Sequence, residues 1–217
     1  MSQSALLDAA AALSTFLDVQ SGRLAVCSNT QRNRLSDLTG VFSDEETRAA
    51  LVNNANPVIY EVYRTEPAEK QDTALCYSST IVHSGRVGSE YYMTRGHSHP
   101  SLDAPEVYLT IRGEGMMLLQ SDDFHVQALA MGPGTVLYVP GSIIHRAVNT
   151  GTEPLVLFTV YTVATIGEYK ELPAYGFKRI LVATNDGPDL VPNPCFQIAP
   201  KTNDKPDTAE KSEDADE

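Results

Sequence analysis

The sequence predicts an all-β chain with a little helix at its N-terminal end, closed into a barrel or sandwich. Three observations carry that expectation. From Pro57 onward, short runs rich in β-branched and aromatic residues follow one another, separated by Gly, Pro, Asn and Asp. Stretches such as Glu61-Val62-Tyr63-Arg64 and Phe124-His125-Val126-Gln127 alternate as strands with one face in a core do. Gly113-Glu114-Gly115 and Gly132-Pro133-Gly134 supply turns between them. Many short strands avoid exposed edges by closing on one another, which is why the pattern means a barrel or sandwich.

In chain order, residues 5–17 (ALLDAAAALSTFL) read as a short helix. The run lacks the basic flank of a signal peptide and carries Asp8 in its apolar stretch. Ser43 followed by Glu46 forms a capping-box pattern and starts a helix running through Leu51 and Val52. Strands are expected over 58–63, 75–82, 91–94, 107–111, 116–120, 124–131, 135–139, 147–148, 155–162 and 179–183. From Lys201 to Glu217 there are seven acids, three lysines and nothing larger and more apolar than Ala209. Such a segment cannot bury enough surface to order itself, so residues 199–217 are expected to be a disordered acidic tail. The division is then an N-terminal extension over 1–33, one barrel domain over 34–198, and the tail.

The 217 residues suffice for one domain with a real core. The formal net charge is −12, and no stretch gathers Lys and Arg into a stripe. Nucleic acid and anionic membrane surfaces are therefore not expected partners, since phosphate arrays need concentrated positive charge. No run of about 18 apolar residues occurs, so no membrane-spanning helix is expected. Cys27, Cys76 and Cys195 are far apart and odd in number, which points to reduced thiols and a cytoplasmic setting.

Chemistry concentrates at the histidines. His97-Ser98-His99 places two imidazoles on one side of an extended segment, since residues i and i+2 of a strand face the same way. Glu106 follows at the start of the next strand, and His145 lies in the strand-like stretch IIHRAVN. Three imidazoles and a carboxylate suit one divalent ion, Fe2+, Mn2+, Ni2+, Co2+ or Zn2+, with two octahedral positions left for substrate oxygens. His83 and His125 stand alone and are expected to be ordinary surface or core residues.

His97-x-His99, six residues, Glu106, six residues and Gly113 matches the first motif of the cupins. Gly134, five residues, Pro140, then His145 and Asn149 matches the second. Ser142 and Tyr91 stand where cupins usually carry glycine. The resemblance implies a double-stranded β-helix, or jelly-roll barrel. More specifically, NRLSDLTG, NPVIYEVY, YYMTRGHSHPSLDAPEVYLTIRGEGMMLLQ, PGTVLYVPGSIIHRAVNTGTEPLVLFTVYTVATIGEY and GFKRILV resemble the cupin-type glucose-6-phosphate isomerases of archaea and some bacteria. That likeness implies a homodimer, with Fe2+ the first expectation for the ion, acting in glycolysis and gluconeogenesis. It implies interconversion of glucose 6-phosphate and fructose 6-phosphate through chelation of O1 and O2 and an enediolate, or a hydride shift. It also implies Glu106 and Tyr161 as catalytic groups, and Tyr60, Thr80, Thr94, Gly96, Tyr108 and Tyr169 around the sugar phosphate. Arg95 adds local charge, while Gly167 replaces a histidine that archaeal members carry. Two rivals share the metal set: a dioxygenase or decarboxylase, and a non-catalytic sugar-binding cupin.

Overall fold

The computed structural model describes residues 14–67, 72–99, 104–165 and 176–196. Thirteen strands and one α-helix make up most of these residues. They are β1 (Asn29–Arg34), α1 (Glu45–Asn54), β2 (Val58–Thr65), β3 (Leu75–Val82), β4 (Arg86–Val87), β5 (Glu90–Tyr91), β6 (Glu106–Arg112), β7 (Gly115–Gln120), β8 (Val126–Met131), β9 (Val136–Val139), β10 (Ile144–Asn149), β11 (Leu155–Thr162), β12 (Arg179–Thr184) and β13 (Gly187–Pro192). Every strand pairing is antiparallel.

The strands form a six-stranded sheet, β1-β2-β3-β11-β6-β9, a three-stranded sheet, β10-β7-β8, and a four-stranded sheet, β13-β12-β5-β4. The first two are the walls of the jelly-roll barrel. Between them lies a core that includes Ile59, Met117, Leu118, Leu155 and Leu157, each at most 1% exposed. Residues 93–97 extend the smaller wall, because Met93 bridges Val148 and His97 bridges His145. Between β6 and β7 the chain turns at Gly113, whose φ is +80° and whose added Cβ would strike the Pro154 carbonyl oxygen. Only glycine fits that turn without strain.

Several local expectations change in the structure. The α1 cap is Asp44, not Ser43: the Asp44 carboxylate accepts from Thr47 N at 2.9 Å. Ser43 is engaged elsewhere, its N–H and hydroxyl both donating to Glu90 Oε1 at 2.6 Å. The strand expected from Phe124 starts at Val126, because Phe124 sits in a turn at φ +63°. Of the strand expected over 91–94, only Tyr91 belongs to a named strand. The helix expected over 5–17 falls largely outside the described residues, as does the acidic tail. Its described end is not helical, and Leu17 makes an isolated bridge with Leu24.

A strand unanticipated from sequence, β1, pairs along the free edge of β2, opposing Gln31 to Val62 and Asn33 to Tyr60. The segment before it crosses the outer face of the large sheet. Gly22 lies so close to that sheet that a Cβ would come within 2.8 Å of Ile81, and its carbonyl accepts from Ser79 Oγ at 2.6 Å. Glu61, buried beneath, pairs with Arg32 at 3.0 Å and with His83 at 3.3 Å, and accepts from Tyr63 OH at 3.1 Å. His83 thus has a local structural partner, and His125 is exposed at the turn before β8.

Candidate metal centre and sugar pocket

Alternation along the large sheet decides which side chains face inward. Tyr60, Val62 and Arg64 of β2, Ser78 and Thr80 of β3, and Leu157, Thr159 and Tyr161 of β11 all line one cavity of about 680 Å³. Register holds them in rows: Arg64 opposes Ser78, Ser78 opposes Thr159, and Thr159 opposes Tyr108. His97, Glu106 and His145 line the same cavity, as do Thr94, Gly96 and Arg146.

One nitrogen or oxygen from each of His97, Glu106 and His145 lies within 4.8 Å of the others. Glu106 is the hub. Its Oε1 is 3.6 Å from His97 Nε2 and 3.0 Å from His99 Nε2, and its Oε2 is 3.3 Å from His145 Nε2. Tyr108 OH donates to Glu106 Oε2 and stands 3.0 Å from His145 Nε2. His99 is nearly inaccessible, whereas the His97 side chain is 28% exposed and faces the cavity. The smaller wall fixes two of these rings through the backbone: His97 N donates to His145 O at 3.0 Å and His145 N to His97 O at 2.8 Å.

The donor set fits a divalent ion. His145 Nδ1 lies 2.9 Å from the Ile143 carbonyl, which can only accept, so Nδ1 carries a proton and Nε2 is the ring atom turned toward Glu106 and the cavity. Burial, reinforced by the neighbouring His145, lowers the His97 pKa to about 4, so this ring is neutral at pH 7. Burial by itself would raise the pKa of Glu106. Hydrogen bonds to His145, His97 and His99 outweigh it and hold the carboxyl well below its ordinary range. A buried carboxylate ringed by imidazole nitrogens is a donor set that suits a divalent ion, which would take the place of the protons between them.

The cavity also collects Tyr60, Thr80, Thr94, Gly96 and Tyr108, expected around a sugar phosphate, and Tyr161, expected as a catalytic group. Tyr169 and Gly167 lie outside the described residues. Sequence reasoning missed Gln31, Asn33, Arg64, Thr159 and Arg146 as lining residues. The first two belong to the unrecognised edge strand. The others follow from β-alternation once register is known, since each shares a face with, or adjoins, a residue already singled out.

Comparison with known proteins agrees with this geometry. A family described as Glucose-6-phosphate isomerase (GPI) matches residues 32–191. A glucose-6-phosphate isomerase from Pyrococcus horikoshii is 39% identical over 178 residues, covering 82% of this chain and 93% of that protein. One from Pyrococcus abyssi is 40% identical over 161 residues, with 74% and 85% coverage. A bacterial relative of the same name, from Sinorhizobium medicae, is 36% identical over 172 residues and covers 79% of each chain. With its jelly-roll barrel and histidine-carboxylate centre, the chain belongs to the cupin-type glucose-6-phosphate isomerase family.

Proposed function

We propose that the cavity interconverts glucose 6-phosphate and fructose 6-phosphate, with the reacting carbons beside Glu106 and the phosphoryl group at the Thr94–Gly96 end. The observation that carries this reading is the single cavity joining the His97–Glu106–His145 cluster to hydroxyl and backbone donors in a chain of this family. His97, His99, Glu106 and His145 would hold one divalent ion, Fe2+ being the first candidate, which supplies Lewis-acid stabilisation of charge developing on two adjacent sugar oxygens.

The protein's own groups do the rest. Glu106 carries a proton between neighbouring positions of the sugar, and Tyr108 OH fixes the orientation of its Oε2 edge. Tyr161, 7% exposed and inward-facing, is placed to meet a sugar hydroxyl. Thr94 Oγ1 already accepts from Ala147 N at 3.1 Å, so its own proton is available to an acceptor in the cavity. Tyr60 and Thr80 add hydroxyls on the opposite wall, as an oxyanion site without a Gly-rich loop requires.

Metal ligation favours a second reading of the hydrogen transfer. A carboxylate holding a divalent ion is a weaker base toward carbon, which leads to a C1–C2 hydride shift with Glu106 moving only a hydroxyl proton. A coupled assay tests both levels. Fructose 6-phosphate supplied anaerobically should yield glucose 6-phosphate, whereas a dioxygenase would need O2, a decarboxylase would release CO2, and a binding module would give no product. Loss of a C1 hydrogen label to solvent in the same assay marks proton transfer by Glu106, and its retention marks the hydride shift.

The assembly we propose is a homodimer in the cytoplasm. The three cysteines are free, and among the described residues no helix is long and apolar enough to cross a membrane. On the outer face of the large sheet, Tyr77, Val160, Val107 and Tyr138 form one register row, and Phe158, Leu109 and Val136 another. Val136 and Tyr138 are 64% exposed on β9, the outermost strand of that sheet. An apolar face ending at an unpaired edge is suited to a second copy of itself. Analytical ultracentrifugation at micromolar concentration should give twice the 23.6 kDa chain mass, and Tyr138→Glu should shift it toward monomer. A wild-type monomer would remove the dimer.

A further inference from the structure

Beneath the Thr94–Gly96 turn lies a buried cation that the reaction above leaves without a role. Arg146 is 3% exposed. Its Nη1 donates to Met93 Sδ at 2.9 Å, its Nη2 donates to Arg95 O at 3.0 Å, and its Cζ stands 4.3 Å from the Phe177 ring centroid. Its Nε is buried with no hydrogen-bond partner among the described residues. Glu90 is the carboxylate that acts on it electrostatically, yet forms no ion pair with it among these residues: Ser43 occupies Glu90 Oε1, and Oε2 is left without a partner. Burying a guanidinium without a carboxylate at its side is unfavourable unless another anion balances it. An arginine guanidinium keeps its charge at neutral pH.

The turn above it is built to receive that anion. Gly96 has φ +84°, and a Cβ there would come within 3.1 Å of Arg146 Nε and 3.2 Å of His145 O, so a side chain would be strained and would crowd the guanidinium, whereas glycine lets the turn lie close on it. Thr94 N donates to Ala147 O at 2.9 Å and His97 N to His145 O at 3.0 Å. The intervening N–H groups of Arg95 and Gly96 make neither bond. No peptide bond among the described residues is cis, so the Arg95 carbonyl and the Gly96 N–H point in opposite directions. With the carbonyl on Arg146, the N–H points away from it. The cation therefore sits at the negative end of this peptide and strengthens its positive end as a donor.

We infer that Arg146 is a positioning residue for phosphate recognition, holding the Arg95–Gly96 peptide so that its N–H meets the phosphoryl oxygens and placing a buried positive charge behind them. This rests on the assignment of the cavity to a sugar phosphate. Arg146 needs no contact with the reacting carbons, so its effect belongs in substrate affinity, not in turnover.

The test uses the metal-loaded protein and two variants, Arg146→Gln and Arg146→Lys. Metal content by elemental analysis, kcat and KM for fructose 6-phosphate, and the dissociation constant for inorganic phosphate by calorimetry are measured on each. Arg146→Gln should raise KM and the phosphate dissociation constant at least tenfold, with kcat within threefold and metal content unchanged. Arg146→Lys, which keeps the charge but loses the fork on the Arg95 carbonyl, should fall between. Unchanged KM and phosphate affinity in either folded variant overturns the inference, as does an equal fall in kcat with no change in KM. Should neither variant fold, the Arg146 Nε–H resonance of the isotope-labelled wild type must shift on phosphate titration, and a static resonance at saturation overturns it equally. Phosphate binding that depends on Arg146 in a protein without isomerase turnover would overturn the isomerase reading and leave this subsite standing.

Discussion

Replacing Glu106 with Ala should empty the metal site and lower kcat by about three orders of magnitude or more. Loss of a positioned general acid or base alone is worth about 10²- to 10⁴-fold, and loss of Lewis-acid stabilisation adds to it. The geometry explains why one residue carries so much. Its two oxygens are approached by His97, His99 and His145 at 3.0 to 3.6 Å and by the Tyr108 hydroxyl, so removal strips the common partner of four side chains. Glu106→Gln separates the two roles. The amide keeps the shape and one oxygen but no charge, so metal is retained weakly while turnover is still lost. His145→Ala should lose metal and activity together, because it removes the Nε2 that stands 3.3 Å from Glu106 while the backbone pairing that seats His97 stays in place. Wild-type turnover in either the Glu106→Ala or the His145→Ala variant would sink the site assignment.

Stripping the metal with EDTA should abolish turnover and lower the unfolding temperature, and adding an ion back anaerobically should restore both. A ligand that binds only the folded state at 1,000 times its dissociation constant stabilises it by about 4 kcal/mol. At about 2 to 4 °C per kcal/mol for a domain of this size, the shift is about 8 to 16 °C. The stripped protein should stay folded at neutral pH, since Glu106 keeps its contacts with His99, His145 and Tyr108 without the ion. Adding Fe2+, Mn2+, Ni2+, Co2+ and Zn2+ separately ranks them, with Fe2+ expected first. Undiminished activity and melting in protein shown metal-free by elemental analysis would remove the metal from the mechanism.

Sequence resolved most of the barrel because its strands alternate strongly. The expected strands over 75–82 and 155–162 coincide with β3 and β11 to the residue. The same criterion missed β1: in NTQRNR only Asn33 is buried, so no hydrophobic alternation marks it, and it exists as a strand through its pairing with β2. Gln31 and Asn33 were invisible as cavity residues for that reason. Helix capping failed by one place because Ser43 and Asp44 are both good caps, and a tertiary contact to Glu90 takes Ser43 out of the competition. The gathering of His97, Glu106 and His145 followed from the cupin motif, whose spacings are local properties, whereas His99 lies buried behind Glu106 and does not line the cavity. Arg146 was not legible in sequence. Nothing local distinguishes an arginine after a histidine on a strand; its burial against Phe177 and Met93 arises from elements far away in sequence.

The place of β11 in the large sheet bears on how the protein comes into being on the ribosome. β3 and β6 are made one after the other among the strands of the large sheet but are not neighbours in it; β11 lies between them, and the carboxylate of Glu106 belongs to the half that β11 must join. Until residue 162 has left the exit tunnel, the nascent chain cannot bring Glu106 and the hydroxyl-lined strands onto a common wall. Such long-range pairing also folds slowly, because distant segments must meet before any contact rewards them. Closure of the cavity is therefore a late event, open only to an almost finished polypeptide, so a substrate meets folded protein and never the growing chain.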